Sequence, residues 1–327
     1  MSDDIQTKAL AAATLTHVDL GNHNAGEGGS QLSNLKRVGN RPYISGQAFR
    51  HAVKDALQAE TSEGVDCTPQ YACGDISTCK LCDLFGYMNT DLQPDNGDPL
   101  PKRTSPLRVT PLVGQYDTST TTDMILQYAV GGDIKKGDNE GDDEQLENRI
   151  GYREMTENVF KGGWAIDVAA IGRRETEDID TSQDHGHRYS RDLVDEIGDE
   201  EQRKTRVNEL LTALLNTTQL AGQARHMADF MPDFVVGAAL PVYNQRILNA
   251  VHVDSETREV DVDALESVLT DLDNQGASVW MAGTHNPNVI SNWDEVMDMG
   301  ARADHVTVVD SVTECYEAMQ PDLNDDE

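Results

Sequence analysis

Residues 14–57 decide the fold. Thr14-Leu-Thr-His-Val-Asp-Leu20 is followed by Gly21-Asn-His-Asn-Ala-Gly-Glu-Gly-Gly-Ser30. Pro42-Tyr-Ile-Ser-Gly46 then leads into a segment where Ala48, Phe49, Ala52, Val53, Ala56 and Leu57 recur. The first run alternates as a strand does, the second is a Gly/Asn loop, and the last has the spacing of one apolar helix face. Ser45 or Gly46 is the expected cap, which sets free backbone N–H groups and the positive helix end beside Arg50 and Lys54. Such a start suits a phosphate, and it equally suits an ordinary helix with a solvated basic face.

Working outward, Gly28 to Lys54 holds five basic side chains, Lys36, Arg37, Arg41, Arg50 and Lys54, and no acid. About five acids would fall there if they were spread evenly. A second window, Pro99 to Tyr116, holds Lys102, Arg103 and Arg108, again without acid. Together the windows are expected to form one electropositive surface. The alternative is that both are buried or Gly-rich segments, where acids are rare in any protein.

The windows matter because the remainder is so acidic. The 327 residues carry 58 Asp+Glu against 26 Lys+Arg, a formal charge of −32. The acids are dispersed and only nine of the 26 basic residues are lysine, which reads as the surface of a salt-loving organism's protein. Taken whole, that charge argues against nucleic acid, whose binding needs a basic footprint. With no run of 18 apolar residues, a membrane span is not expected. Met1 to Ala13 lacks the basic start and long apolar core of a signal peptide, so a cytoplasmic protein is expected.

Four of the five cysteines, Cys67, Cys73, Cys79 and Cys82, follow a C-x5-C-x5-C-x2-C pattern. Clustered thiolates in a reducing compartment read best as a structural zinc site, although only the last pair has the usual tight spacing. Reduced structural thiols and disulfides are the alternatives. Cys315 stands alone and reads as a core residue.

Gly131 to Glu147 is rich in Gly, Asp and Glu and reads as a solvated loop that includes Lys135 and Lys136. Arg203 to Leu220 is expected to be an amphipathic helix, with Val207, Leu210, Leu211, Leu214 and Leu215 on one face and Gly222 closing it. Ala221-Gly-Gln-Ala-Arg225 follows as a turn with one exposed cation. Further on, Val260 to Leu269 reads as a helix, Ala277 to Met281 as a strand, and Pro321 to Glu327 as an acidic tail. Eight acids and one arginine between Asp254 and Asp273 make that face unsuited to nucleic acid and available to a neighbouring subunit. His185-Gly-His187 reads as a loop. Neither G-x-S-x-G, a phosphate loop nor H-E-x-x-H occurs.

Tyr43-Ile-Ser-Gly-Gln-Ala-Phe-Arg50, with the Gly/Asn loop before it, resembles the CRISPR-associated autoregulator family of DevR type. Cys82-Asp-Leu-Phe-Gly86 is similar to the Cys-x-Leu-Phe-Gly element of the repeat-associated RNA-binding superfamily. Lys102-Arg-Thr-Ser-Pro-Leu-Arg-Val-Thr110, Phe160-Lys-Gly-Gly-Trp-Ala165 and Ala221-Gly-Gln-Ala-Arg-His226 follow in the family's order, and the resemblance spans about residues 14 to 245. It implies an α+β fold: a modified RRM-like (ferredoxin-like) palm, a finger insertion over 55–100 with the cysteines, and a thumb-like insertion over 118–158. Residues 246–327 form an acidic region or a separate lobe. It also implies the repeated backbone subunit of a type I Cascade complex, coating a CRISPR RNA, supporting pairing with target DNA, and contacting further copies of itself and other subunits. The RNA contacts expected are Lys36, Arg37, Arg41, Ser45, Gln47, Arg50, Lys54, Arg103, Arg108 and Arg225. The aromatic RNP patterns of sequence-reading RRMs are absent, so backbone and shape are what such a protein would read.

Related type III subunits carry an Asp before the corresponding helix that cuts RNA. Gly28 to Lys54 has no carboxylate, and Asp19 and Glu27 lie upstream, so no catalytic residue and no enzymatic activity are expected. Two other functions compete. An autoregulatory transcription factor would want a helix-turn-helix with a basic recognition helix, and none is found. An endoribonuclease would process precursor RNA with a histidine or metal-bound carboxylates.

Overall fold

The computed structural model describes residues 7–23, 32–33, 35–65, 67, 71–91, 102–127, 149–180, 188–217, 220 and 228–320. Its centre is β1 (Ala9–Gly21), which pairs antiparallel with β10 (Arg149–Asp167) on one side and β13 (Phe234–Leu240) on the other. Beyond β10 the sheet continues through β8 (Leu112–Gly114), β4 (Arg41–Ile44) and β3 (Arg37–Val38), all antiparallel. Beyond β13 come β14 (Ser278–Gly283), antiparallel, and β15 (Val306–Val308), parallel to β14. Short β7 (Leu107–Val109) and β2 (Leu32–Ser33) also pair with β10. The result is a mixed α+β molecule built on one large, mostly antiparallel sheet.

The strand read at Thr14–Leu20 begins earlier, at Ala9. Alanine has little strand preference of its own, so this half of β1 is invisible to local pattern; it becomes a strand because both its faces are covered. Leu10 and Ala12 pack on one face with Phe160, Trp164 and Ile166. Ala9, Ala11, Ala13 and Leu15 pack on the other with Val236 and Ala238. The first face carries α1 (Gly46–Glu60), α2 (Lys80–Phe85), α3 (Glu200–Leu215) and α6 (Val312–Ala318), the second α4 (Val262–Asp273) and α5 (Trp293–Arg302). Small side chains let the layers approach. At Gly163 a Cβ would sit 2.6 Å from the Ala12 carbonyl oxygen and against Leu248, which is why Phe-Lys-Gly-Gly-Trp crosses the centre of the sheet.

α1 forms where its spacing predicts, with the Ala48 N–H donating to Ser45 Oγ at 3.3 Å and Phe49, Ala52, Val53, Ala56 and Leu57 buried. α3 corrects the reading of Arg203 to Leu220. It starts at Glu200, where Asp199 accepts from the Glu201 N–H and two acids favour the helix N-terminus, and it ends at Leu215. Its buried face includes Arg203 and Arg206 beside the leucines. Gly222 lies outside the described residues.

β9 (Thr121–Gln127) pairs antiparallel with the first part of β10, from Thr121 opposite Met155 to Gln127 opposite Arg149. The paired residues lie within 118–158, the range expected for the thumb-like insertion, while the loop with Lys135 and Lys136 falls outside the described residues. A second hairpin, β11 (Arg173–Asp180) with β12 (Arg188–Asp195), has no counterpart in the sequence reading. His185 and His187 fall between its strands, outside the described residues, as do residues 321–327. Residues 246–320 add β14 and β15 to the main sheet and send α6 to its first face, where Cys315 is fully buried and Trp164 Nε1 donates to Tyr316 Oη at 3.0 Å.

Candidate nucleic-acid interface and metal centre

The two acid-free windows meet. β4 carries one and β8 the other, with Tyr43 opposite Val113 and Ile44 opposite Leu112. At the start of α1, a Cβ on Gly46 would lie 3.4 Å from the Val109 carbonyl oxygen. The capped end of α1 therefore abuts the second window at the edge of the sheet.

Lys36 and Gln47 are exposed, and Arg37, Arg41, Ser45, Arg50 and Lys54 partly so. Arg50 and Lys54 are one turn apart on α1. Burial holds the Arg50 guanidinium below its ordinary value. It does the same to the Lys54 ammonium, against the pull of the Cys82, Cys79 and Cys67 sulfurs. Among the described residues none of Lys36, Arg37, Arg41, Arg50 and Lys54 has a hydrogen-bonded or ion-paired side-chain partner. In a chain with 58 acids, five such cations within the stretch from Lys36 to Lys54 are a concentration of unspent positive charge. Ser45 Oγ serves as the helix cap.

The second window divides. Arg108 is exposed, with its guanidinium 4.9 Å from the Tyr243 ring centre. Arg103 is a correction to the expected set of RNA contacts. It ion-pairs with fully buried Asp83 and donates to the carbonyl oxygens of Asp83, Arg173 and Ala170 at 2.9, 2.6 and 2.9 Å, which engages four of its five N–H groups, and with its side chain 6% exposed it is not open to a phosphate. Arg206 approaches the same carboxylate from α3 at 2.6 Å and donates to the Ile76 and Ser77 carbonyls. The Gly172 N–H completes the set at 3.0 Å. One buried carboxylate thus ties α2, α3, β6 (Lys102–Arg103) and the turn before β11 together. Arg225 lies outside the described residues.

Asp83 belongs to Cys-Asp-Leu-Phe-Gly, whose last residue ends α2 at φ 64, where a Cβ would lie 2.7 Å from the Ser105 nitrogen. The strand after it, β5 (Tyr87–Met88), pairs with β6. At the other end of α2 the Sγ atoms of Cys67, Cys73, Cys79 and Cys82 all lie within 4.8 Å of one another. Four sulfurs about 2.3 Å from one zinc ion stand about 3.8 Å apart. The Cys73–Cys82 and Cys67–Cys82 separations are 3.7 and 3.9 Å, and all four cysteines are free of disulfides. Backbone N–H groups of Cys73 and Cys82 point at the Cys67 and Cys79 sulfurs, as they do to thiolates. A hydrogen bond with Cys82 holds the Cys79 thiol down, to about 5, while burial pushes Cys73 up to about 11. The four residues fit a tetrahedral soft metal ion and could hold one, which would act as a structural clamp on a segment with little core of its own.

Elemental analysis of the intact chain is expected to find about one zinc per chain, and Cys79→Ser with Cys82→Ser to lose it. The same variant should exchange backbone hydrogens faster over residues 71–91. A metal-free wild type purified without chelator would remove zinc from this account.

Sequence reasoning missed Asp83, Arg206 and Lys161. The last lies on β10 and is partly exposed, and alternation within Phe-Lys-Gly-Gly-Trp would have put it on the face opposite Phe160 and Trp164. Among the described residues no helix is long and apolar enough to cross a membrane.

A family model described as CRISPR-associated negative auto-regulator DevR/Csa2 matches residues 56–261. No curated protein matches the chain. A solved chain from a "CRISPR RNA-guided surveillance complex" is similar in fold, with a TM-score of 0.52 at 17% identity over 95% of this chain and 98% of that one. Another, from a "CRISPR RNA-guided surveillance complex, pre-nicking", has a TM-score of 0.56 at 13% identity over the same shares.

Proposed function

Because the chain belongs to the CRISPR-associated negative auto-regulator DevR/Csa2 family, we propose that it is a guide-RNA-binding backbone subunit of a type I CRISPR interference complex. Copies of it coat the RNA spacer and support its pairing with target DNA beside other subunits, in the cytoplasm. In this reading β1, β10, β8 and β4 with α1 form an RRM-like palm, the cysteine segment is the finger, and the β9–β10 hairpin is the thumb.

The observation that carries the reading is the set of five cations between Lys36 and Lys54, namely Lys36, Arg37, Arg41, Arg50 and Lys54, that have no side-chain partner among the described residues in a chain of charge −32. They would take phosphates, with the hydroxyl of Ser45 and the amide of Gln47 adding hydrogen bonds and Arg108 and Arg225 extending the track. Arg103 drops out of the set. With no carboxylate between Gly28 and Lys54, the site binds and does not cut. In strong salt the Debye length is about 3 Å at 1 M, so direct contacts and neighbouring copies must hold the RNA with little long-range attraction.

The test is isolation of the tagged chain from its host at native salt. Several copies on one RNA of uniform length are expected. A chain that arrives without RNA, or that cleaves repeat RNA when purified alone, sinks the proposal.

A further inference from the structure

Among the described residues, part of the sheet's second face has no helix on it. Register places Leu15 of β1 opposite Lys161 of β10, Lys161 opposite Val113 of β8, and Val113 opposite Tyr43 of β4, so all four point to that face. Leu15 is fully buried beneath the layer of α4 and α5, whereas Lys161, Val113, Tyr43 and Arg41 are partly exposed. The cover therefore ends between Leu15 and Lys161. From there to β4 the floor carries two cations, and the acids near it among the described residues are engaged: Glu157 is 3.1 Å from His17 Nε2, and Asp117 accepts from Asn40 Nδ2 at 3.2 Å. Arg108, opposite Ala165 on this face, leans on Tyr243, and Arg258 lies over Tyr116 at 5.1 Å.

Lys161 is the unusual member. Its strand neighbours on this face are buried Val159 and Gly163, over which Leu248 packs. Burial holds its ammonium below the usual lysine value, and no acid or acceptor answers it among the described residues. A half-buried cation without a partner gives up hydration that only an incoming anion restores. The floor also reaches the β3–β4 pair through Arg41, which belongs to both sets of cations.

We infer that this open floor is a second contact surface for the same single-stranded RNA, with Lys161 bonding a phosphate and Tyr43 and Val113 meeting a base. The inference rests on the guide-RNA reading above. Cations interleaved with an aromatic ring on a sheet suit binding that tolerates any sequence. The charge on the floor, set in an acidic chain, commits it to a polyanion rather than to an acidic copy of itself.

The experiment measures binding of a labelled oligouridylate to the full-length chain by fluorescence anisotropy in molar KCl. Lys161→Met keeps the apolar stem and is expected to weaken binding about tenfold, Lys161→Glu more, and Lys161→Arg to stay near wild type. If Lys161→Met and Lys161→Glu stay within about twofold of wild type while Arg50→Glu has lost binding, the floor is not a contact surface and the guide-RNA reading stands. A wild type that binds neither oligouridylate nor the RNA of its own host overturns both.

Discussion

Arg50→Glu is expected to abolish retention of guide RNA, weakening it by about a hundredfold or more, while unfolding of the chain stays close to wild type. Arg50 projects from α1 without a partner among the described residues, so replacing it breaks no contact there. The change removes a cation from the capped helix start and puts repulsion in its place. Lys54→Glu, one turn on, should behave differently. Its ammonium faces the sulfurs of Cys82, Cys79 and Cys67, and a carboxylate there would oppose the thiolates that a metal needs. Loss of both RNA and zinc is expected from Lys54→Glu, and loss of RNA alone from Arg50→Glu. Full RNA retention by Arg50→Glu would show that α1 is not a guide contact.

Asp83→Ala should lower stability by about 3–5 kcal/mol, because it leaves two buried guanidinium groups without a counter-charge. The side chains of Arg103 and Arg206 are only 6% and 5% exposed, so water cannot replace the carboxylate. Replacing all three charges together by apolar residues of similar size should recover most of that loss, since the cost lies in the uncompensated charges. Denaturant unfolding of the full-length chain in molar KCl measures both. A change below about 1 kcal/mol for Asp83→Ala would mean that the carbonyls around Arg103 and Arg206 suffice without the carboxylate. The same carboxylate joins the cysteine segment to α3, so the alanine variant is also expected to bind zinc less tightly.

Local features of the chain were legible where the physics is local. α1 follows from the spacing of its apolar residues and the Ser45 cap, and the four-cysteine ligand set follows from thiol chemistry. β1 was only half legible, because Ala9 to Ala13 become a strand through layers packed on both faces and not through any preference of alanine. α3 was shifted because Arg203 and Arg206 look like surface charges in sequence, yet their partners, Asp195 with Glu200 and Asp83, bring them inside.

Arg103 and Arg41 show the division most clearly. Both are arginines in acid-free windows, and no property of the sequence separates them. One lies beside a carboxylate 20 residues earlier in the chain and is buried; the other stands on β4, is partly exposed and has no side-chain partner among the described residues. The sequence alone determined the helix, its cap, the thiol set, the acidity and the places where acid is missing, because each depends on neighbours within a few residues. Tertiary structure decided which cations are free, that the two windows adjoin through β4 and β8, and that Lys161 stands where the cover of the sheet ends. Those depend on pairings between residues far apart in the chain, and burial, which sets the worth of a charge, exists only once they have formed.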